Sequence, residues 1–468
     1  MAIAWFGLAN LSAGLEVRAI PHNSVPMLFM TSKGAKPQPG IVVAHGIAGS
    51  KQLMLGYGYT LAHNGYSVLL LDFHGHGANT APLDQDRLQQ DLNTALTALK
   101  AQPEVDPNRI GLLGHSMGSG AVMTAGAEEG SSIAAVVAVS PIHAPLTPSA
   151  PRNLQLQAGE WEGPFVQQSA QLLQDAGGPN ANLKEGKGRS QVIIPHVEHI
   201  LILFSDRSHQ AALDWFDAAF EQTSTSSFRD RRMVWYGLHL LSWILLLSAL
   251  SPWLQQVRSH LPIQHRPGRS WVGLGIAPLS AAGIIFFISW QTSLASIGGL
   301  LVGGALGLWM FVAGLTWCGV LSRFPRPSLK SLGLGVLLFG LLWLAFGAMA
   351  QETWLQWWLI PARLKLWPVL AFACFPWFLA SGILQIDATR TQQILGWLAQ
   401  SVALAGGLSI TIVLVPQLGF LALIVPIIPI VLALLSYTGA RVRNPWSYAI
   451  ASALFFGWTI AATFPLSA

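Results

Sequence analysis

From Met233 onward the chain is written in apolar runs separated by short links, each run close to the roughly 20 residues a helix needs to cross the hydrocarbon of a bilayer. The pattern predicts about eight such segments, over 233–254, 271–290, 294–321, 331–350, 366–386, 394–414, 418–437 and 446–464. Sixteen of the 19 tryptophans follow residue 230. Many stand near segment ends (Trp253, Trp271, Trp290, Trp354, Trp357, Trp358, Trp367, Trp446), as in an interfacial aromatic belt. No Asp, Glu, Lys or Arg sits clearly at mid-depth, which argues against an ion-coupled transport path. Pro416, Pro426 and Pro429 as helix breakers, and His239 within the first segment, are what a transport reading would rest on. Gly299, Gly303 and Gly307 recur every four residues, a spacing that suits close helix packing.

Charge divides the chain at the same place. Residues 1–229 hold 13 Lys/Arg against 18 Asp/Glu, net −5, and residues 230–468 hold 13 against 3, net +10. Across all 468 residues only 10% are charged, where about 25% is usual for a soluble protein. The positive excess lies in links between apolar runs, which is membrane-loop chemistry and not a nucleic-acid patch. Two domains follow, 1–228 and 229–468. Cys318 and Cys374 both lie in apolar runs, so neither a disulfide framework nor a thiolate metal site is expected. The apolar start, MAIAWFGLANLSAG, lacks a basic region and is short of a span; it reads as the stub of a longer anchor.

Orientation can be read from the links. With the first domain cytoplasmic, the inside links hold five cations (Arg229, Arg231, Arg232, Arg363, Lys365). With it outside they hold nine (Arg258, Arg266, Arg269, Arg323, Arg326, Lys330, Arg390, Arg441, Arg443). The count favours an extracytoplasmic first domain; the lack of a complete signal in this chain points the other way.

Between Leu15 and Phe228, short β-branched runs alternate with amphipathic stretches, the pattern of an α/β domain with a largely parallel sheet. Strands are expected at 41–45, 67–73, 110–115, 134–140, 153–159 and 190–195. Helices are expected at 54–64, 84–101, after Ser116, at 163–175, and at 208–220 with Ser208 as its cap.

The strongest chemical signal is Gly114-His115-Ser116-Met117-Gly118, which follows an expected strand and precedes a small-residue helix. A nucleophilic serine must stand out from the sheet on a tight turn, and flanking glycines remove the Cβ atoms that would obstruct it. His45-Gly46-Ile47-Ala48-Gly49-Ser50 ends an earlier strand, where acyl transfer needs a backbone N–H aimed at the developing oxyanion. Ile47 and Met117 are the candidate donors. Gly56-Tyr57-Gly58 and Gly333-Leu334-Gly335 lack the strand-to-helix setting of a dinucleotide site, so no cofactor is expected. His74 and His76, or His196 and His199, have no third metal ligand at a telling spacing.

His45-Gly46, the turn Asp72-Phe73-His74-Gly75-His76-Gly77 and the Gly114–Gly118 motif together resemble the α/β-hydrolase superfamily, nearest its esterase, lipase and dienelactone-hydrolase-like members. The resemblance covers about residues 15–225. It implies a doubly wound, mostly parallel sheet and a triad in the order Ser, acid, His. Ser116 is then the nucleophile. The acid follows the strand at 153–159, where glycine-plus-three favours Glu162 over Glu160, and the histidine follows the strand at 190–195, where His199 is favoured over His196. Asp206 is an alternative acid.

Only Pro141–Arg152 separates the strands between which many family members insert a helical cap, so an open cleft is expected, with His143 and Trp161 as substrate-binding walls. The expected function is a membrane-bound serine hydrolase acting on carboxylic esters, lipid-like ones included. The rivals are a transporter or scaffold with a non-catalytic hydrolase-like domain, and a peptidase or thioesterase.

Overall fold

The computed structural model describes residues 1–21, 24–34, 36–254, 267–321 and 324–468. Its contacts group into two compact units. The first comprises Met1–His239 with Ala350–Gln356, the second Leu240–Met349 with Trp357–Ala468. Arg258, Arg266 and Arg323 of the orientation count lie outside the described residues.

The first unit is built on one eight-stranded sheet, β1 (Leu15–Ile20), β2 (Met27–Ser32), β3 (Gln38–Ala44), β4 (Ser67–Leu71), β5 (Val105–His115), β6 (Ala135–Val139), β7 (Leu154–Gly159) and β8 (Arg189–Ile194), in the order β1-β2-β4-β3-β5-β6-β7-β8. β1 pairs β2, and β2 pairs β4, antiparallel; every other pairing is parallel. All six expected strands are present. The two that the sequence did not signal are the antiparallel edge, where β1 buries only one of its six residues fully and so lacks the long apolar run of its neighbours.

Both faces of the central strands are covered, which is why they read as continuous Val/Ile/Leu runs. Val42, Leu112 and Val136 face α3 (Leu88–Lys100), α4 (Met117–Glu128) and α5 (Gly163–Asp175) through Leu92, Leu96, Val122 and Leu172. One residue along, Ile41, Val43, Leu113 and Val137 face α2 (Leu55–His63) and α6 (Asp206–Phe220) through Leu61, Leu213 and Phe216. α6 starts two residues before its expected cap. Ser208 is inside the helix and buried, its hydroxyl donating to Gln157 Oε1 at 2.5 Å. A short helix, α1 (Ala2–Ala9), precedes the sheet.

The unit closes on Arg232, the first residue of α7 (Arg232–Leu254). Its side chain is fully buried and donates to the carbonyls of Gln52 (3.2 Å), Leu53 (3.1 Å) and Leu203 (3.3 Å). Nε lies 2.9 Å from the buried Asp230 carboxylate, and the guanidinium stands over the Phe204 ring. Gln52 also donates to Gln356 Oε1 at 2.7 Å.

In the second unit, α8 (Pro267–Ser289), α9 (Gly303–Leu321), α10 (Leu329–Thr353), α11 (Pro361–Gln385) and α12 (Arg390–Leu414) follow α7. These six helices are long and apolar enough to cross a membrane. The seventh expected segment is broken: a 3-10 turn over Pro416–Ile424 meets α13 (Ile428–Val442) at a 57° bend, where Pro416, Pro426 and Pro429 withhold backbone donors. The eighth is α14 (Pro445–Thr463), mostly buried against α11 and outside the set of six.

Packing glycines are present, with one change from expectation. Gly299 lies in a turn at φ +77°, before α9 begins, whereas a Cβ on Gly303 or Gly307 would press on Phe464 or Leu370. Gly314 also sits at a close backbone approach, where an added Cβ would strike the Trp377 amide nitrogen. Trp357 is no belt residue: it is wholly buried among Phe346, Phe455 and Trp458. Arg363, used in the orientation count as a link cation, is likewise buried and donates to the carbonyls of Ala461 and Phe464, both at 2.6 Å.

Candidate active site

Because β3, β5, β6, β7 and β8 run parallel, the loops after them leave from one edge of the sheet. Those loops carry, in turn, residues 45–50, Ser116, Ser140–His143, Glu162 and His199. In open α/β sheets this carboxyl edge is where ligands bind.

Ser116 joins β5 directly to α4 at φ 51°, ψ −117°, a strained conformation for a residue with a side chain. Its neighbours show what holds it there. A Cβ on Gly114 would lie 2.2 Å from the Gly118 carbonyl oxygen, and one on Gly118 2.6 Å from the His45 carbonyl oxygen. The two glycines of the motif are thus required by close backbone approach. A Cβ on Gly46 would lie 3.0 Å from Ser116 Cβ, so the 46–47 backbone rests directly against the serine. Met117 is the first residue of α4, so its N–H has no acceptor within the helix.

His199 and Glu162 are brought together. His199 Nδ1 lies 2.9 Å from Glu162 Oε2, with the carboxylate buried and the imidazole about one-eighth exposed. An ionised carboxylate only accepts, so the proton sits on Nδ1 and Nε2 is left as the basic nitrogen. The other carboxylate oxygen accepts from the Gly159 N–H at 2.8 Å and the Ser140 hydroxyl at 2.9 Å. A Cβ on Gly159 would strike the Val197 carbonyl oxygen at 2.5 Å, which explains a glycine at the end of β7. Glu198 fixes the histidine loop from below, its carboxylate accepting from the Ile200 and Leu201 amides.

Three supporting residues escaped sequence reasoning. His115, the variable position of the serine motif, donates from Nε2 to the His199 carbonyl at 3.0 Å, and the two rings are 4.7 Å apart. Burial, with the nearby His199, holds its pKa well below the ordinary 6.5, so it stays neutral. Phe165, three residues after Glu162, stacks on His199 with ring centroids 4.5 Å apart. Ser140, at φ 47° after β6, supplies the hydroxyl to Glu162. Only the places of His115 and Phe165, beside motif residues, could have signalled them.

The loop after β3 is equally fixed. Buried His45 donates from Nδ1 to the Gly46 carbonyl at 2.7 Å and accepts the Phe73 N–H on Nε2 at 3.1 Å. Burial lowers its pKa, Asp72 opposing. Burial pushes the Asp72 carboxyl up, but the Lys51 ammonium and His45 outweigh it and hold the pKa below its usual value. The Asp72 carboxylate also accepts the Lys51 and Ala78 amides.

The remaining candidates fall elsewhere. Glu160 pairs with His196 in solvent, 48% and 78% exposed, with Oε2 accepting the His196 amide at 2.9 Å. Asp206 opens α6, and His199 Nδ1 is taken by Glu162. His74 pairs with Asp91 at 2.7 Å, and among the described residues no group of three His, Cys, Asp or Glu could hold a metal ion. His143 and Trp161 are exposed on the loops after β6 and β7. Trp161 (63% exposed), Leu201 (50%) and Ile142 (37%) give this edge an apolar rim. No helix occupies 141–152.

Comparison with known proteins places these observations. An uncharacterized protein of Mycobacterium tuberculosis is 35% identical over 81 residues, 17% of this chain and 29% of that one. A thiohydrolase of Aspergillus aculeatus is 31% identical over 109 residues, 22% of this chain and 34% of its own. The chain thus matches only about a third of the length of these curated relatives. A dienelactone hydrolase structure from Anabaena variabilis aligns over 43% of this chain and 97% of that one, at 20% identity and a TM-score of 0.33. The family model described as serine aminopeptidase, S33 matches residues 35–192. With that match, the eight-stranded sheet and the strand–Ser116–helix turn, the N-terminal unit has an α/β-hydrolase fold and is followed in the chain by a helical unit rich in membrane-length apolar helices.

Proposed function

We propose that the protein is a membrane-bound serine hydrolase that cleaves carboxylic esters with an apolar acyl group through an acyl-enzyme. The observation that carries this reading is the buried Glu162–His199 pair on the same sheet edge as the strained Ser116. Ser116 Oγ attacks the ester carbonyl while His199 Nε2 takes its proton. The Ile47 and Met117 amides hold the oxyanion. His199 then returns the proton to the leaving alcohol, and the same base activates water to release the acid. Glu162 keeps His199 in the required tautomer and stabilises the imidazolium.

The apolar rim of Ile142, Trp161 and Leu201, and the absence of a helix over 141–152, support an acyl chain entering an open edge, with Trp161 and His143 as its walls. The membrane-length helices support a substrate drawn from the bilayer, whose local concentration tethering would raise. The excess of link cations on the alternate side supports an extracytoplasmic hydrolase. A thioester reading draws support from the thiohydrolase relative, and an amide reading from the family description.

Fluorophosphonate labelling of the full chain tests the site. Wild type is expected to label and Ser116→Ala not; a folded wild type that does not label overturns the reading in favour of a binding or scaffold role. Matched ester, thioester and amide substrates, compared by kcat/KM, separate the chemistries.

A further inference from the structure

In the second unit a cavity of about 550 Å³ opens between the start of α12 and the end of α13. The first residues of α12 and the last residues of α13 line this same space. Three arginines, Arg390, Arg441 and Arg443, line this cavity together with Gln393, Trp397 and Tyr437. Among the described residues none of the three forms an ion pair. Arg441 lies over the Tyr437 ring, 4.8 Å from its centroid, which holds the guanidinium at the cavity wall. Arg441 and Arg443 are half-buried. Asp387, the nearest carboxylate in sequence, is exposed and does not line the cavity.

Cations at the ends of membrane helices ordinarily extend singly into water or headgroups. Here three line one concavity, together with the first residues of α12. Guanidinium groups are the donors best matched to phosphate oxygens. Ile394 and Ala433 continue the wall as apolar surface away from the arginines.

We propose that this cavity binds a phosphate-bearing anion, with the phosphate on Arg390, Arg441 and Arg443 and any apolar tail along Ile394 and Ala433. The site goes beyond the hydrolase reading and needs none of its residues. The phosphate comes either from an anionic phospholipid headgroup or from a soluble phosphate ester.

The test uses the full chain carrying Ser116→Ala, so that turnover plays no part, in a non-ionic detergent. Thermal unfolding is followed while phosphatidylglycerol, phosphatidylcholine or sn-glycerol 3-phosphate is titrated in. Phosphatidylglycerol is expected to raise Tm in a saturable way and phosphatidylcholine not. R441Q/R443Q should weaken that binding at least tenfold, and R326Q/K330Q, which removes the same charge elsewhere, should leave it within twofold. If R441Q/R443Q does not fold, the exposed R390Q serves, with at least threefold weaker binding expected. Saturation by glycerol 3-phosphate at similar concentrations assigns the soluble source, and its failure to bind assigns the lipid. Equal weakening by both double variants, no weakening by either, or equal response to the two lipids overturns the site.

Discussion

Glu162–His199 and Glu160–His196 are the same two residue types on the same two loops, set two and three positions apart, yet they live in different media. In one pair the carboxylate is buried and accepts two further hydrogen bonds, and an aromatic ring stacks on the imidazole. In the other both partners stand in water. The difference teaches that burial, more than pairing, separates the candidate acid–base unit from a surface contact. An exposed pair is screened and costs side-chain entropy, whereas a buried one keeps its geometry and its charge preference.

The largest effect should come from splitting the two histidines. His199→Ala is expected to lower kcat on a short-chain ester by up to about a millionfold, as loss of a triad base does, while His196→Ala stays within twofold. A His196→Ala loss comparable to His199→Ala would break the comparison. Next, Glu162→Gln should cost about ten-thousandfold in kcat through the wrong tautomer, with KM little changed and Glu160→Gln silent; steady-state kinetics at one pH reads both.

The same contrast extends to stability. The Asp230–Arg232 pair is buried and Arg87–Asp84 is exposed at 55% and 44%. Arg232→Ala, which strands Asp230 and three carbonyls, should destabilise the first unit by about 3–5 kcal/mol, against at most about 1 kcal/mol for Arg87→Ala. Adding Asp230→Ala to Arg232→Ala should recover part of the loss in denaturant unfolding. The smallest effect is pH-dependent. Burial lowers the pKa of His45, His115 and His209 in the folded state, so the unfolded chain binds more protons below pH 6.5. Stability is therefore present above that pH and lost as pH falls, by up to about 1.4 kcal/mol per pH unit for each such histidine. Thermal melts between pH 7 and 5 should show it, and His115→Asn should flatten the slope.

Much of this was legible in the sequence. Six strands and the Ser116 turn announce themselves because parallel strands buried on both faces are runs of Val, Ile and Leu, and because backbone contact at Gly114 and Gly118 admits no side chain. Glu162 was favoured over Glu160 through the glycine-plus-three spacing that the family resemblance implies. What was not legible depends on tertiary neighbours. The edge strand β1 is largely exposed, Ser208 is an ordinary serine until Gln157 meets it, and Trp357 is indistinguishable from a belt tryptophan until Phe346 and Trp458 enclose it. His115 is a free position in the motif, and only the fold shows that it bonds the backbone of His199, the proposed base.

Arg232 has a practical consequence for taking the protein apart. The sequence invites a cut after residue 228, where charge and hydropathy change, to release a water-soluble hydrolase. Such a fragment would lack the guanidinium that gathers the carbonyls of Gln52, Leu53 and Leu203, and with it the cross-brace between the segment following residues 45–50 and the segment following His199. The excised piece would keep every residue of the proposed triad and lose that brace. A cut that keeps residues up to His239 retains it, so the severed hydrolase should be judged on that longer fragment.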